Sequence, residues 1–116
     1  MRTNTTRRKP KVALYLRPLP HEPDNALQTR LTLLQDWARH RDAEVVRVYF
    51  DTMRDRTWFQ RMTEEVIQGD SPFDEVLVTD RGHVCPSEQL FRQWEAVMET
   101  HGVVVLAAQD LEEDPA

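Results

Sequence analysis

Four short runs rich in β-branched and other apolar residues, VALYL (12–16), EVVRVYF (44–50), DEVLVT (74–79) and GVVVLA (102–107), alternate with three longer stretches in which apolar residues recur every third or fourth position. The runs suit a pleated surface, and the stretches suit helices with one apolar stripe. VALYL and GVVVLA are nearly continuous apolar runs, the pattern of strands buried on both faces. Between the first two runs, Leu27, Leu31, Leu34 and Ala38 predict a helix over 25–41, with Asn25 as its cap and Gln28 as the return partner. Phe59, Met62 and Val66 share a stripe in a second helix over 57–68, whose polar face carries Arg61, Glu64 and Glu65. Gly69 is placed to stop that helix in a left-handed conformation. A third helix is expected to open at Pro86, to align Leu90, Trp94 and Val97, and to end at Gly102. Helices of this length between strands demand β-α-β crossovers. The fold class is therefore α/β, a three-layer sandwich around a mainly parallel four-stranded core sheet.

The chain has 116 residues, 40% of them hydrophobic and 30% charged, the size and composition of one globular domain. No internal repeat or linker interrupts it. No apolar run approaches the roughly 18 residues of a membrane span, and the polar start MRTNTTRRKPK has no apolar centre of the kind a signal peptide needs. Cys85 is the single cysteine, so an intrachain disulfide and a Cys-rich zinc site are excluded and a reducing, cytoplasmic location is expected. His21, His40 and His101 lie on different elements without ligand spacing, so neither a metal nor a cofactor is expected.

Net charge is −5, which gives the molecule no bulk attraction for a polyanion. The charge is unevenly spread. Arg2, Arg7, Arg8, Lys9 and Lys11 crowd the start, and Asp110, Glu112, Glu113 and Asp114 crowd the end. Residues 1–10 read as a flexible basic arm, 11–110 as the α/β domain and 111–116 as an acidic tail. Trp37, Trp58 and Trp94 read as core or interface aromatics rather than platforms for stacked bases.

Sites in open parallel sheets form beyond the carboxyl ends of strands. The loops there carry Arg17, then Asp51, Arg54 and Arg56, then Asp80, Arg81 and His83. Arginine keeps its charge and grips phosphate oxygens through a rigid fork of donors, so Arg17, Arg56 and Arg81 are candidates for one anion site, with Asp80 and Asp51 as neutralising partners. Cys85 stands before Pro86 and two residues from His83, where a helix N-terminus would favour a thiolate. That thiol hydrolase lacks a third, orienting group, and a cysteine in a capping position is the plainer reading.

Over residues 11–110 the order of elements and the loop residues resemble the catalytic domain of serine recombinases, the resolvases and invertases. The family's Tyr-x-Arg-x-Ser-Thr pattern is similar to Tyr15, Leu16, Arg17, Pro18, Leu19 and Pro20, and its Ser-Leu-x-x-Gln helix start meets Ala26, Leu27, Gln28, Thr29 and Arg30 only at the leucine. Arg-Pro-x-(aromatic or Leu) is similar to Arg56, Thr57, Trp58 and Phe59. Asp-Arg-Leu-Ser-Arg meets Asp80, Arg81, Gly82, His83 and Val84. Members of the family attack a DNA phosphodiester through the serine of the first pattern while arginines stabilise the phosphoryl oxygens, and the resemblance implies a shortened, non-catalytic relative of them. Arg17, Arg56, Asp80 and Arg81 look retained. The serine position holds Leu19, which has no nucleophilic atom, and the last arginine position holds Val84. The chain as written also stops where the family continues into a further helix, a long dimer-forming helix and a DNA-binding domain, so the usual dimer contact and base-reading element are expected to be missing.

Two readings stand, with a third behind them. The first is a non-catalytic resolvase-like module, a pseudoenzyme acting through protein interaction or regulation, linked to DNA recombination and pairing with itself or with an active recombinase. The second is a phosphate or nucleic-acid binding module that uses the retained arginines without cleavage. The third is the Cys85 hydrolase. The net charge favours the first over the second, and DNA binding is expected to be weak.

Overall fold

The computed structural model describes residues 9–108. The basic arm therefore falls outside the described residues except at Lys9 and Pro10, and the acidic tail lies wholly outside them.

The elements follow in the order β1 (Lys11–Leu16), α1 (Ala26–His40), β2 (Glu44–Phe50), α2 (Thr57–Ile67), β3 (Glu75–Val78), α3 (Arg81–Val84), α4 (Glu88–Thr100) and β4 (Val104–Ala107). The strands form one sheet in the order β2-β1-β3-β4, and all three ladders are parallel. The expected four-stranded parallel sheet is what the chain forms. An irregularity in the β1–β2 register sits between Val12 and Ala13, where the pairing jumps from Val45 to Arg47. Val46 is the extra residue, and beyond it the pairs Tyr15↔Tyr49 and Leu16↔Phe50 run to the carboxyl end without a further shift.

Each sheet face carries its own core. On one face Leu34 and Ala38 of α1 pack with Val12, Leu14, Leu16 and Leu77. On the other, Met62 and Val66 of α2 and Phe91, Trp94 and Met98 of α4 pack with Ala13, Tyr15, Val76 and Val105. The result is the three-layer sandwich, one helix on one face and two on the other. β1 and β3 are the central strands, which is why VALYL is buried along its length. β4 is an edge strand. Val104 is exposed while Val105 and Ala107 are buried, so GVVVLA is covered mainly on one face, contrary to the two-sided burial its composition suggests.

Three helices end in the same hydrogen-bonded motif. After α2, Gly69 adopts φ 79°, its N–H donates to Val66, and the N–H of Asp70 donates to Glu65. After α4, Gly102 adopts φ 87°, with Gly102 and Val103 donating to Glu99 and Met98. Both are left-handed helix ends in which glycine removes the Cβ clash. α1 ends in the same way with Asp42 at φ 58°, a conformation that aspartate tolerates better than most residues.

Helix starts depart from the expected pattern. Asn25 precedes α1 but its side chain makes no cap; only its carbonyl is used, accepting from the N–H of Thr29. α4 begins two residues later than Pro86 suggests. Its cap is Ser87, whose Oγ accepts from the N–H of Leu90 at 3.1 Å, so Cys85 is not a cap of α4 and ends the short α3 instead. The buried stripe of α4 is Phe91, Trp94 and Met98, whereas Leu90 and Val97 are exposed. Only Trp94 of the expected stripe faces the core.

Candidate functional site

The carboxyl ends of β1, β2 and β3 open on a cleft of about 410 Å³, lined by the loop from Arg17 to Pro20, by Met53 and Arg56, and by the stretch from Gly82 to Pro86. Parallel topology puts it there, because all the strands release their loops at the same end.

The β1 loop is braced from two directions. Arg30, on the first turns of α1, donates from Nη2 to the carbonyl of Arg17 at 2.5 Å and forms an ion pair through Nη1 with Glu22. Glu22 in turn accepts the N–H of Leu19 at 2.7 Å. Burial works to raise the Glu22 carboxyl, but the Leu19 N–H and the Arg30 guanidinium outweigh it and hold the group below its ordinary value. Leu19 is thereby fixed, half-buried, in the wall of the cleft. Neither Glu22 nor Arg30 stands out in the sequence, because the strap joins a loop to a helix with no local pattern; the one hint is that Arg30 occupies the resemblance's glutamine position.

Asp51, at the end of β2, is 4% exposed and accepts three hydrogen bonds, from the Tyr15 hydroxyl at 2.7 Å and from the N–H groups of Trp58 and Phe59 at 2.9 and 3.0 Å. It fills the N-terminus of α2. That carboxylate complements the helix dipole and leaves it no anion site. The Tyr15 hydroxyl is pushed well above its ordinary value by burial and by its bond to Asp51.

Of the arginines expected to converge, Arg17 and Arg56 line the cleft and Arg81 does not. Arg17 donates from Nη2 to the carbonyl of Met53 at 2.6 Å, tying the β1 loop to the β2 loop. Arg56 lies over the ring of Phe59, 4.2 Å from its centroid, and its Nε and Nη2 are buried without a hydrogen-bond partner. Arg81 is directed to α4, where its Nε pairs with Glu88 at 3.3 Å beside a separate small cavity of about 70 Å³. Its position in the short α3 turns it away from the cleft. Asp80 also stays local, capping α3 through the N–H of Gly82 at 2.7 Å. The aspartates thus serve helix ends rather than neutralising the arginines. Arg54 is exposed and lines no part of the cleft.

Val84 is 1% exposed at the cleft wall, opposite in chain order to the β1 loop. Burial pushes the Cys85 thiol up despite the nearby Arg56 guanidinium, which works against a thiolate. His83 turns its Nδ1 to Thr79 Oγ1 at 2.9 Å, and burial lowers its pKa in spite of Asp80. Among the described residues no group of three or more metal-ligating side chains gathers. No helix there is long and apolar enough to cross a membrane.

No protein-family model and no curated protein sequence matches the chain. Solved structures do. A resolvase-family site-specific recombinase from Streptococcus pneumoniae superposes with a TM-score of 0.76 at 22% identity, over 92% of this chain and 79% of that one. The fold is that of a resolvase catalytic domain. The N-terminal catalytic domain of TP901-1 integrase is similar at TM-score 0.72 and 18% identity, over 86% of this chain and 78% of its own. The C-terminal catalytic domain of an IS607-like serine recombinase gives TM-score 0.71 and 21% identity, over 90% and 76%. In this resolvase fold the cleft lies where the loops after the first three strands meet, and the lining from Arg17 to Pro20 and from Gly82 to Pro86 contains no hydroxyl side chain.

Proposed function

We propose that the chain is a resolvase-fold module that does not cleave DNA and acts in recombination through its surfaces, as a regulatory or interaction partner of a second copy or of an active recombinase. One observation carries this reading. At the position where the serine recombinase pattern has its serine, the β1 loop presents Leu19 to the cleft, held there by the Glu22–Arg30 strap. Phosphoryl transfer through a covalent intermediate needs a nucleophile aligned with phosphorus, and among the described residues the cleft lining offers only the Cys85 thiol, raised by burial, and the His83 ring. The hydroxyls nearby are committed: Tyr15 to Asp51 and Thr79 to His83. Val84 and the outward turn of Arg81 remove two of the charges that the serine recombinase pattern would supply. The buried, free Cys85 is consistent with a reducing, cytoplasmic setting.

A second reading is favoured by a specific feature. Arg17 and Arg56 line a cleft that has no carboxylate in its lining among the described residues, which suits weak phosphate or nucleic-acid binding without cleavage. Light scattering of the purified chain, alone and with an active recombinase, tests the first reading; a salt-dependent titration with a short duplex tests the second. Mass beyond the monomer with no DNA binding supports interaction. A monomer that binds duplex with a steep salt slope supports the alternative.

A further inference from the structure

The cleft combines two features that a DNA-phosphate site does not require together. Arg17 and Arg56 bring cationic guanidinium groups to it, and among the described residues no ion pair joins either of them to a carboxylate. The rest of the wall is apolar, with Leu19, Met53, Val84 and Pro86 facing the same space. A guanidinium that has lost water without gaining an acceptor is costly, and the buried Nε and Nη2 of Arg56 are in that state, with the Phe59 ring against the group. Its natural candidates for relief are engaged elsewhere: Asp51 with Tyr15, Trp58 and Phe59, and Asp80 with Gly82. An anion in the cleft would offset the cost electrostatically, and an apolar body attached to it would take Leu19 and Met53 out of water at the same time.

We infer that the cleft binds a small amphipathic monoanion, an apolar group of about ring size bearing one carboxylate. The volume of about 410 Å³ lies in the range of small-molecule sites, which are mostly apolar with a few convergent polar groups. A net charge of −5 repels a polyanion far more than a monoanion, and among the described residues the lining has no Phe, Tyr or Trp on which a base would stack, its one aromatic ring being the half-buried His83 imidazole. Leu19, the departure that removes a nucleophile, is half-buried in that apolar wall beside Met53 and Pro86, while Val84, the departure that removes a charge, is buried at it. This inference rests on the reading that the cleft does not cleave DNA.

The probe is 4-isopropylbenzoate, followed by amide chemical-shift changes and calorimetry on the full chain. Acetate carries the charge alone, 4-isopropylbenzyl alcohol the body alone, and inorganic phosphate a different anion. Saturable one-to-one binding of isopropylbenzoate is expected, with shifts at residues 17–20 and 82–86, and with acetate and the alcohol each about tenfold weaker or more. Arg56→Gln and, independently, Arg17→Gln should each weaken binding by about tenfold while the variants remain folded by circular dichroism. Leu19→Ser should weaken the isopropylbenzoate complex and leave acetate unchanged. The inference is overturned if isopropylbenzoate does not bind wild type, if phosphate binds equally well, or if a short duplex displaces it with higher affinity. DNA nicking by wild type would instead overturn the non-cleaving reading, and the probe titration would remain a separate result.

Discussion

Replacing Asp51 with alanine removes the acceptor of three hydrogen bonds at a position 4% exposed. The Tyr15 hydroxyl, on a residue 2% exposed, loses its partner at 2.7 Å in a place closed off from bulk solvent. A stranded buried donor costs about 1–3 kcal/mol. The N–H groups of Trp58 and Phe59 at 2.9 and 3.0 Å lose the cap of α2, a further loss of about 1 kcal/mol, moderated because Trp58 is partly open to solvent. Loss of the negative charge at the helix N-terminus adds about 0.3–1 kcal/mol. The expected total is about 3–4 kcal/mol, a large share of the roughly 5–15 kcal/mol that holds a domain folded. Asp51→Asn keeps one acceptor oxygen and the shape, so it should cost about half as much. Tyr15→Phe removes the hydroxyl together with its need for a partner, and about 1 kcal/mol is expected. Urea unfolding followed by circular dichroism, with slopes compared across the series, measures all three. An alanine variant within about 0.5 kcal/mol of wild type would refute the reasoning, since that is the scatter of ordinary surface substitutions. So would an asparagine variant less stable than the alanine one.

Trp94 is 7% exposed, donates from Nε1 to Thr63 Oγ1 at 3.0 Å and touches the rings of Phe59 and Phe91, so Trp94→Ala should cost about 3–5 kcal/mol in the same urea assay. A change near zero would put the ring outside the core. Burial, with Glu65 adding to it, pushes the Tyr49 hydroxyl up to about 12, and Tyr15 is raised further, so an ultraviolet titration of the folded chain should show little phenolate at pH 10. Ordinary tyrosine titration with a midpoint near 10 would contradict the burial of both rings. The His83 imidazole is held below its usual 6.5 by burial, so its neutral form is the one the fold prefers. Because the unfolded chain then binds the proton more readily, the stability due to this group is complete above about pH 6.5 and falls as pH drops through that value. His83→Gln should flatten that part of a stability–pH curve, and an unchanged slope would count against it.

The sheet was readable because period and composition agree along each run, and the helix ends at Gly69 and Gly102 because a left-handed end selects glycine. The end of α1 uses Asp42, which carries no such mark. Helical spacing alone does not choose the stripe of α4, since residues 90, 91, 94, 97 and 98 are all apolar and both Leu90–Trp94–Val97 and Phe91–Trp94–Met98 satisfy it. The start at Ser87 rather than Pro86 carries a sequence signal of its own, because serine three residues before Leu90 is a capping arrangement. The loops after β1, β2 and β3 do border the cleft, but topology says where a Cα lies and not where a long side chain points. Arg17 and Arg56 reach the cleft, whereas Arg81 crosses to Glu88. The Glu22–Arg30 strap and the Asp51 cap are contacts between residues far apart in sequence, and only the packed fold brings them together.

The central proposal is that this resolvase-fold domain does not cut DNA, and the direct measurement is incubation of the purified chain with supercoiled plasmid, with denaturing gels for both strand breaks and protein–DNA adducts. Neither nicks nor adducts are expected from wild type, nor from Leu19→Ser, because Pro18 and Pro20 still stiffen the loop and Val84 still offers no charge. A covalent adduct formed by wild type would contradict the account.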